Sequence, residues 1–180
     1  MSVSIRPARL EDAAAIAHVH VETWKTAYRG MLPQQYLDSL QEQERAQSWK
    51  QWLERPQVSV LVAEQAPGLC GFIGAGPLRE PVGSADSEFY AIYVLAQMQQ
   101  RGIGASLMRA MARVLANQGF RSPAVWVLAQ NPARHFYARL GASPAAAKQI
   151  QIGGVELEEI AYAWESLDSL LLPGIQEHAR

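Results

Sequence analysis

The stretch Val94-Leu95-Ala96-Gln97-Met98-Gln99-Gln100-Arg101-Gly102-Ile103-Gly104-Ala105 joins a strand-like run to a helical one. Two glycines at such a junction permit backbone conformations closed to other residues and leave their N–H groups unobstructed. The first N–H groups of the following helix lack internal partners, and the helix dipole adds partial positive charge there. Together these features suit a phosphate or pyrophosphate. Gly102-x-Gly104 alone is a weak signal, because many helix starts carry two glycines for geometric reasons.

Working outward, Glu88-Phe89-Tyr90-Ala91-Ile92-Tyr93-Val94 is aromatic and apolar throughout, as expected of a central strand covered on both faces. On the other side, Leu107, Met108, Met111 and Leu115 form the buried stripe of a helix ended by Asn117-Gln118-Gly119. Residues 58–64 and 69–75 read as strands joined through Ala66-Pro67-Gly68. Before them, residues 3–6 suggest a short strand closed by Pro7. A helix follows from Leu10, with Ile16, Val19, Thr23 and Ala27 on one face. Arg9 stands where a capping side chain is expected, so this helix has no clear start. Gly30 and Pro33 break it, and shorter helices follow over 34–40 and 43–53.

Downstream, 124–129 reads as a strand and 132–140 as a short helix capped by Gly141. Strands around 148–152 and 155–163 are joined by Gly153-Gly154, a hairpin signal. The fold class is α/β, with a mixed central sheet flanked by helices. Residues 1–166 form a single domain and 167–180 a peripheral C-terminal tail.

The chain of 180 residues is long enough to bury a real core, and its 49% hydrophobic share fits a globular protein. Lys and Arg number 16 against 17 Asp and Glu, without the basic excess of a nucleic-acid binder. The single cysteine, Cys70, excludes an intramolecular disulfide and reads as a small buried apolar residue. No apolar run approaches the ~20 residues of a membrane helix, and the N-terminus carries no signal core. The expected location is the cytoplasm. The four histidines are too scattered for a metal site.

Two nucleotide-binding alternatives fail in detail. A P-loop needs Gly-Lys followed by Ser or Thr, and none occurs. A dinucleotide fingerprint needs a third glycine where Leu107 stands. Gln99-x-x-Gly102-x-Gly104 instead resembles the acyl-CoA pyrophosphate motif of the GNAT superfamily of N-acetyltransferases, R/Q-x-x-G-x-G/A. Tyr90-Ala91-Ile92-Tyr93-Val94 resembles that family's fourth strand. Asn131-Pro132-Ala133-Arg134-His135-Phe136-Tyr137-Ala138-Arg139-Leu140-Gly141-Ala142 is similar to its second signature, N-x-x-A-x-x-F-Y-E-x-x-G-F. The departures are an Asn131 one residue closer to Phe136, Ala138 for the acidic residue, and Ala142 for the aromatic one.

The resemblance implies a GNAT-like fold that binds acetyl-CoA as co-substrate, with no metal. It implies cofactor contacts from Ile92, Tyr93, Val94, Gln99, Gln100, Arg101, Gly102, Ile103, Gly104, Ala105, Asn131, Phe136 and Tyr137. The fourth and fifth strands would splay apart, freeing backbone groups of Ile92 and Val94, with one N–H near Val94 as oxyanion donor. Tyr137 would protonate the coenzyme A sulfur; a core tyrosine beside Phe136 and Leu140 is the other reading. Glu88 is the candidate base. It lies fourteen positions before Gly102, as in the histone-modifying branch, and alternation places it on the face of Tyr90, Ile92 and Val94. A solvated carboxylate at a strand end is the alternative. Trp24 and Tyr28, four apart on the first helix, are expected to line the amine pocket.

The implied activity is acetyl transfer from acetyl-CoA to a primary amine by direct attack in a ternary complex. A small-molecule acceptor is expected and a homodimer is plausible from the resemblance, with neither nucleic acid nor membrane as partner. A protein lysine or N-terminal acetyltransferase, or a non-catalytic acyl-CoA-binding regulatory module, are the competing functions.

Overall fold

The computed structural model of the chain describes residues 3–171. The glycine-led helix occupies Ile103–Asn117 (α4), and its apolar stripe lies face down on the sheet: Leu107, Met108, Met111 and Leu115 are fully buried. Three antiparallel strands precede it, Ser59–Gln65 (β2), Gly68–Pro77 (β3) and Ser87–Val94 (β4). Ser4–Pro7 (β1) adds to their outer edge. Pro123–Leu128 (β5) pairs parallel with β4, and Ser143–Ile152 (β6) and Val155–Ala163 (β7) complete a mixed sheet in the order β1-β2-β3-β4-β5-β7-β6.

Helices cover both faces. Ala13–Ala27 (α1) and Glu42–Leu53 (α3), with the short Gln34–Asp38 (α2) between them, lie over one face, where Ile16, Val19, Trp49, Val62 and Phe72 form a core. On the other face, α4 packs with Ala133–Arg139 (α5) and the final turn Asp168–Leu171 (α6) around Ile73, Phe89, Leu107 and Trp164. Among the described residues no helix is long and apolar enough to cross a membrane.

A 3-10 turn over Leu10–Asp12 leads into α1, and Asp12 anchors it. Asp12 takes Arg6 Nη1 and Nη2 at 2.7 and 2.9 Å and also accepts the Arg9 backbone N–H at 2.7 Å. The guanidinium beside it holds the Asp12 carboxyl below the usual range. Gly153 and Gly154 both take positive φ, 60° and 81°, in the β6–β7 hairpin. The β6 strand starts five residues earlier than its alternation suggested, taking in Pro144. It is an edge strand paired with β7 alone, and an edge tolerates proline.

Past the expected boundary at residue 166 the chain stays packed. Leu167 and Leu170 are buried in the α4-side core beside Trp164, whose indole N–H donates to the Leu140 carbonyl at 2.8 Å. Two leucines spaced three apart give even a single helical turn an apolar face. The packed body therefore reaches Leu171, and residues 172–180 of the expected tail lie outside the described residues.

Candidate active site

The site begins where two central strands part. β5 follows β4 in parallel only from Ser87 to Phe89, opposite Pro123 to Val125. Beyond Phe89 the β4 edge facing β5 has no strand partner, so the half of β4 expected to be covered on both faces is only half-buried. On its other side β4 stays paired with β3, but with a bulge: Phe89 faces Ala75 and Ala91 faces Gly74, leaving Tyr90 as the extra residue. The Leu95 N–H donates to the Cys70 carbonyl at 2.9 Å. In an antiparallel ladder inward and outward groups alternate, so the backbone groups of Ile92 and Val94 point away from β3, into the gap. The Val94 carbonyl there accepts a bond from Gln99 Nε2 at 2.9 Å.

The gap opens into a cleft of about 580 Å³. At one end lie Gln99, Gln100, Gly102, Ile103, Gly104 and Ala105. Gly102 holds φ at 76°, which an L side chain rarely adopts, and Gln100 is also left-handed at 59°. Turns of this kind are able to gather backbone N–H groups into a concavity suited to an anion, and these two lead into the start of α4. A Cβ on Gly104 would stand 3.3 Å from the Phe136 ring, so this helix and α5 meet at a point where only hydrogen fits freely. Arg101 departs from its neighbours: it lines an adjoining cavity of about 290 Å³ with Val3, Ile5 and Ser106.

α5 supplies the opposite wall. Asn131 Oδ1 accepts the Ala133 N–H at 2.9 Å and so fixes the start of the helix. Phe136 and Tyr137 both line the cleft, their rings edge to face at 5.5 Å. Burial, with a contribution from Tyr93, pushes the Tyr137 phenol well above its ordinary value, so it holds its proton across the neutral range. The Tyr28 phenol is pushed up by burial, then by Tyr93 and more weakly by Tyr137. The phenols of Tyr28 at the end of α1, Tyr93 on β4 and Tyr137 on α5 thus converge on one cleft, which Tyr90 lines as well.

A strand pair that parts over a glycine-led helix, with a buried tyrosine beside the gap, matches a known family. The model of the acetyltransferase (GNAT) family matches residues 21–142. The chain belongs to the acetyltransferase (GNAT) family. It is 38% identical to the uncharacterized N-acetyltransferase YuaI of Bacillus subtilis (strain 168), over 93% of this chain and 96% of that one. It is 30% identical to a phosphinothricin N-acetyltransferase of Streptomyces viridochromogenes, over 77% of this chain and 73% of that one. Its fold resembles PaiA N-acetyltransferase from Thermoplasma acidophilum, solved in complex with coenzyme A, with a TM-score of 0.75 at 20% identity, over 91% of this chain and 99% of that one.

Within this GNAT fold the acceptor side of the cleft differs from expectation at two residues. Glu88 is fully buried and does not line the cleft. Its Oε2 accepts the Arg79 backbone N–H at 3.1 Å; its Oε1 accepts Arg79 Nε at 3.0 Å and Nη2 as well. The Tyr90 bulge breaks the alternation on which the expectation rested: Phe89, Ile92 and Val94 pack toward α4, while Ala91 and Tyr93 pack toward α1. With both oxygens held by Arg79 and no place on the cleft wall, the Glu88 carboxylate is engaged in an ion pair rather than presented to an amine there.

Trp24 is the second such residue. Tyr28 lines the cleft, but Trp24 stands behind it at 4.8 Å between ring centroids, stacked also toward His20, with the Arg45 guanidinium 6.0 Å over its ring. Its indole N–H lies near the Tyr93 phenol without a well-aligned hydrogen bond. Positions four apart share a helix face, yet that face is broad enough to set one residue at the cleft and the other in the packing. The GNAT cleft gains Thr23, Tyr90 and Trp126, which sequence reasoning missed. Val125 and Val127 line it too, so period-two alternation on β5 could not have singled out the residues that meet the cleft.

Proposed function

We propose that this enzyme transfers the acetyl group of acetyl-CoA to the primary amine of a small molecule in the cytoplasm, by direct attack within a ternary complex. The observation that carries the reading is the unpaired β4 edge at Ile92 and Val94, lying between the Gly102–Gly104 helix start and the Tyr137 phenol. The glycine turn suits the pyrophosphate, and the outward backbone groups of Ile92 and Val94 suit the pantetheine chain. The neutral amine attacks the thioester carbonyl, the Val94 N–H stabilises the oxygen as charge builds, and the C–S bond breaks. Tyr137 gives its proton to the departing sulfur, and the acetylated nitrogen releases its extra proton to water. A relative named for phosphinothricin, a small molecule, supports the size of acceptor.

The test is thiol release from acetyl-CoA with a panel of small amines, phosphinothricin among them, alongside lysine-containing peptides. The expected result is turnover with a small amine and stabilisation of about 2.7 kcal/mol at acetyl-CoA concentrations 100 times Kd. Gly104→Val should remove that stabilisation by pressing on Phe136 and narrowing the cofactor end. Turnover confined to peptides would overturn the small-molecule assignment. An absence of both acetyl-CoA binding and transfer would overturn the whole reading.

A further inference from the structure

Four buried side-chain polar atoms have no hydrogen-bond partner among the described residues: His20 Nε2, Thr23 Oγ1, Trp24 Nε1 and Trp126 Nε1. They are not scattered. Thr23 and Trp126 line the cleft from α1 and β5. His20 and Trp24 stand directly behind the Tyr93 and Tyr28 rings that line it, at 5.0 and 4.8 Å between centroids. Positions 20, 23 and 24 share one face of α1, so one helix face delivers three of the four.

Their chemistry is one-sided. An indole nitrogen can only donate. The Trp49 indole N–H donates to His20 Nδ1 at 3.0 Å, which makes Nδ1 the acceptor and leaves the ring proton on Nε2. Three of the four are therefore donors, and the fourth is a hydroxyl that can donate. Leaving such groups unpaired in a buried site is costly, and a complementary ligand supplies oxygens.

The charges agree. Among the described residues no aspartate or glutamate lines the cleft, and the one charged lining residue is Arg139. Outside the lining, Glu88 pairs with Arg79, while Glu80 and Glu159 share the single ammonium of Lys148, whose Nζ also sits 4.1 Å from the Trp126 ring centroid. A polyamine or an arginine-like acceptor would meet no carboxylate on the cleft wall.

We infer that the acceptor is an amino acid, an amine carrying its own carboxylate, and that Thr23 Oγ1 and Trp126 Nε1 donate hydrogen bonds to that carboxylate. The inference rests on the acetyltransferase reading of the cleft and narrows its substrate class. His20 and Trp24 are positioning residues, holding Tyr93 and Tyr28 while adding donors behind them.

The experiment uses the full chain with saturating acetyl-CoA. Thiol release is followed with the common amino acids, the methyl ester of each, and spermidine. At least one amino acid should exceed its ester at least tenfold in kcat/KM. Thr23→Val and Trp126→Phe should each lower kcat/KM for that acid by about ten- to a hundredfold, the worth of a hydrogen bond to a charged group. The loss should appear mainly in KM, and the rate with the ester should move less than about threefold. Faster turnover of esters or spermidine overturns the inference, as do equal losses with acid and ester, or acetyl-CoA hydrolysis without acetylation of any acid. Transfer to amines of every charge at similar rates would sink this inference and leave the transferase reading standing. A chain that neither binds nor consumes acetyl-CoA would sink both.

Discussion

Replacing Glu88 by glutamine separates a catalytic carboxylate from a structural one. The side chain is fully buried and receives three N–H groups, all from Arg79. Glutamine keeps the volume but offers one oxygen, so its NH2 group must face a donor. A hydrogen bond to a charged group contributes roughly 1.5–3 kcal/mol. The Arg79 side chain is 52% exposed and partly screened, which favours the lower part of that range. We expect a loss of about 2 kcal/mol, which for a domain of this size lowers Tm by roughly 4–8 °C. Arg79→Met should cost more, because it strands a buried charge, and the double variant Arg79→Met/Glu88→Gln should recover part of that loss. The assays are thermal melts and the pH profile of kcat with a working amine. In Glu88→Gln the rate per folded molecule should stay within about threefold of the parent, with the acid limb unmoved. A variant that melts like the parent but loses 10²–10⁴-fold in kcat, the usual range for general base catalysis, together with the acid limb, would refute the structural assignment and restore Glu88 as the base.

Tyr137→Phe should lower kcat by about 10²–10⁴-fold while acetyl-CoA affinity and Tm hold. Because burial raises the Tyr137 phenol above its ordinary value of 10.0, the parent enzyme should show no alkaline downturn in kcat near pH 10; a downturn there, abolished by the variant, would contradict the raised phenol. Burial drives His20 down to about 3, with nearby Arg45 adding to the shift. Its folded value therefore lies below its unfolded value of about 6.5, and its contribution is complete above pH 6.5 and fades as pH falls toward 3. The parent should lose about 2 kcal/mol from this group between neutrality and pH 5, and His20→Gln should flatten the melting profile over that interval. Trp24→Ala, by removing the support behind Tyr28, should cost up to about 3 kcal/mol and weaken acceptor and cofactor use together; a rise in acceptor KM alone, at unchanged Tm, would return Trp24 to the pocket wall.

The elements were legible because their signals are local. The stripe Leu107–Met108–Met111–Leu115 dictates a helix on a sheet, and Gly153-Gly154 dictates a hairpin, whatever surrounds them. The start of α4 was equally legible, since a φ of 76° at Gly102 demands glycine there. The Asn131–Tyr137 signature placed Phe136 and Tyr137 on the helix that the structure sets against the cleft. What the chain by itself could not settle was which side chains meet across the sheet. The bulge at Tyr90 arises from the pairing with β3, and it moved Glu88 off the face that simple alternation assigned to it. The partner that neutralises Glu88 comes from the loop before β4, and nothing in the spacing of Arg79 announces the pair. Trp24 and Tyr28 share a helix face, but only the packing of α1 against the sheet decides which of them reaches the cleft. The unpaired donors of His20, Thr23, Trp24 and Trp126 become a feature only when α1 and β5 flank the same gap. Period and propensity act over a few residues and are written in the sequence; the burial of a charge, or of a donor without an acceptor, depends on residues far apart in the chain, and only the tertiary structure decides it.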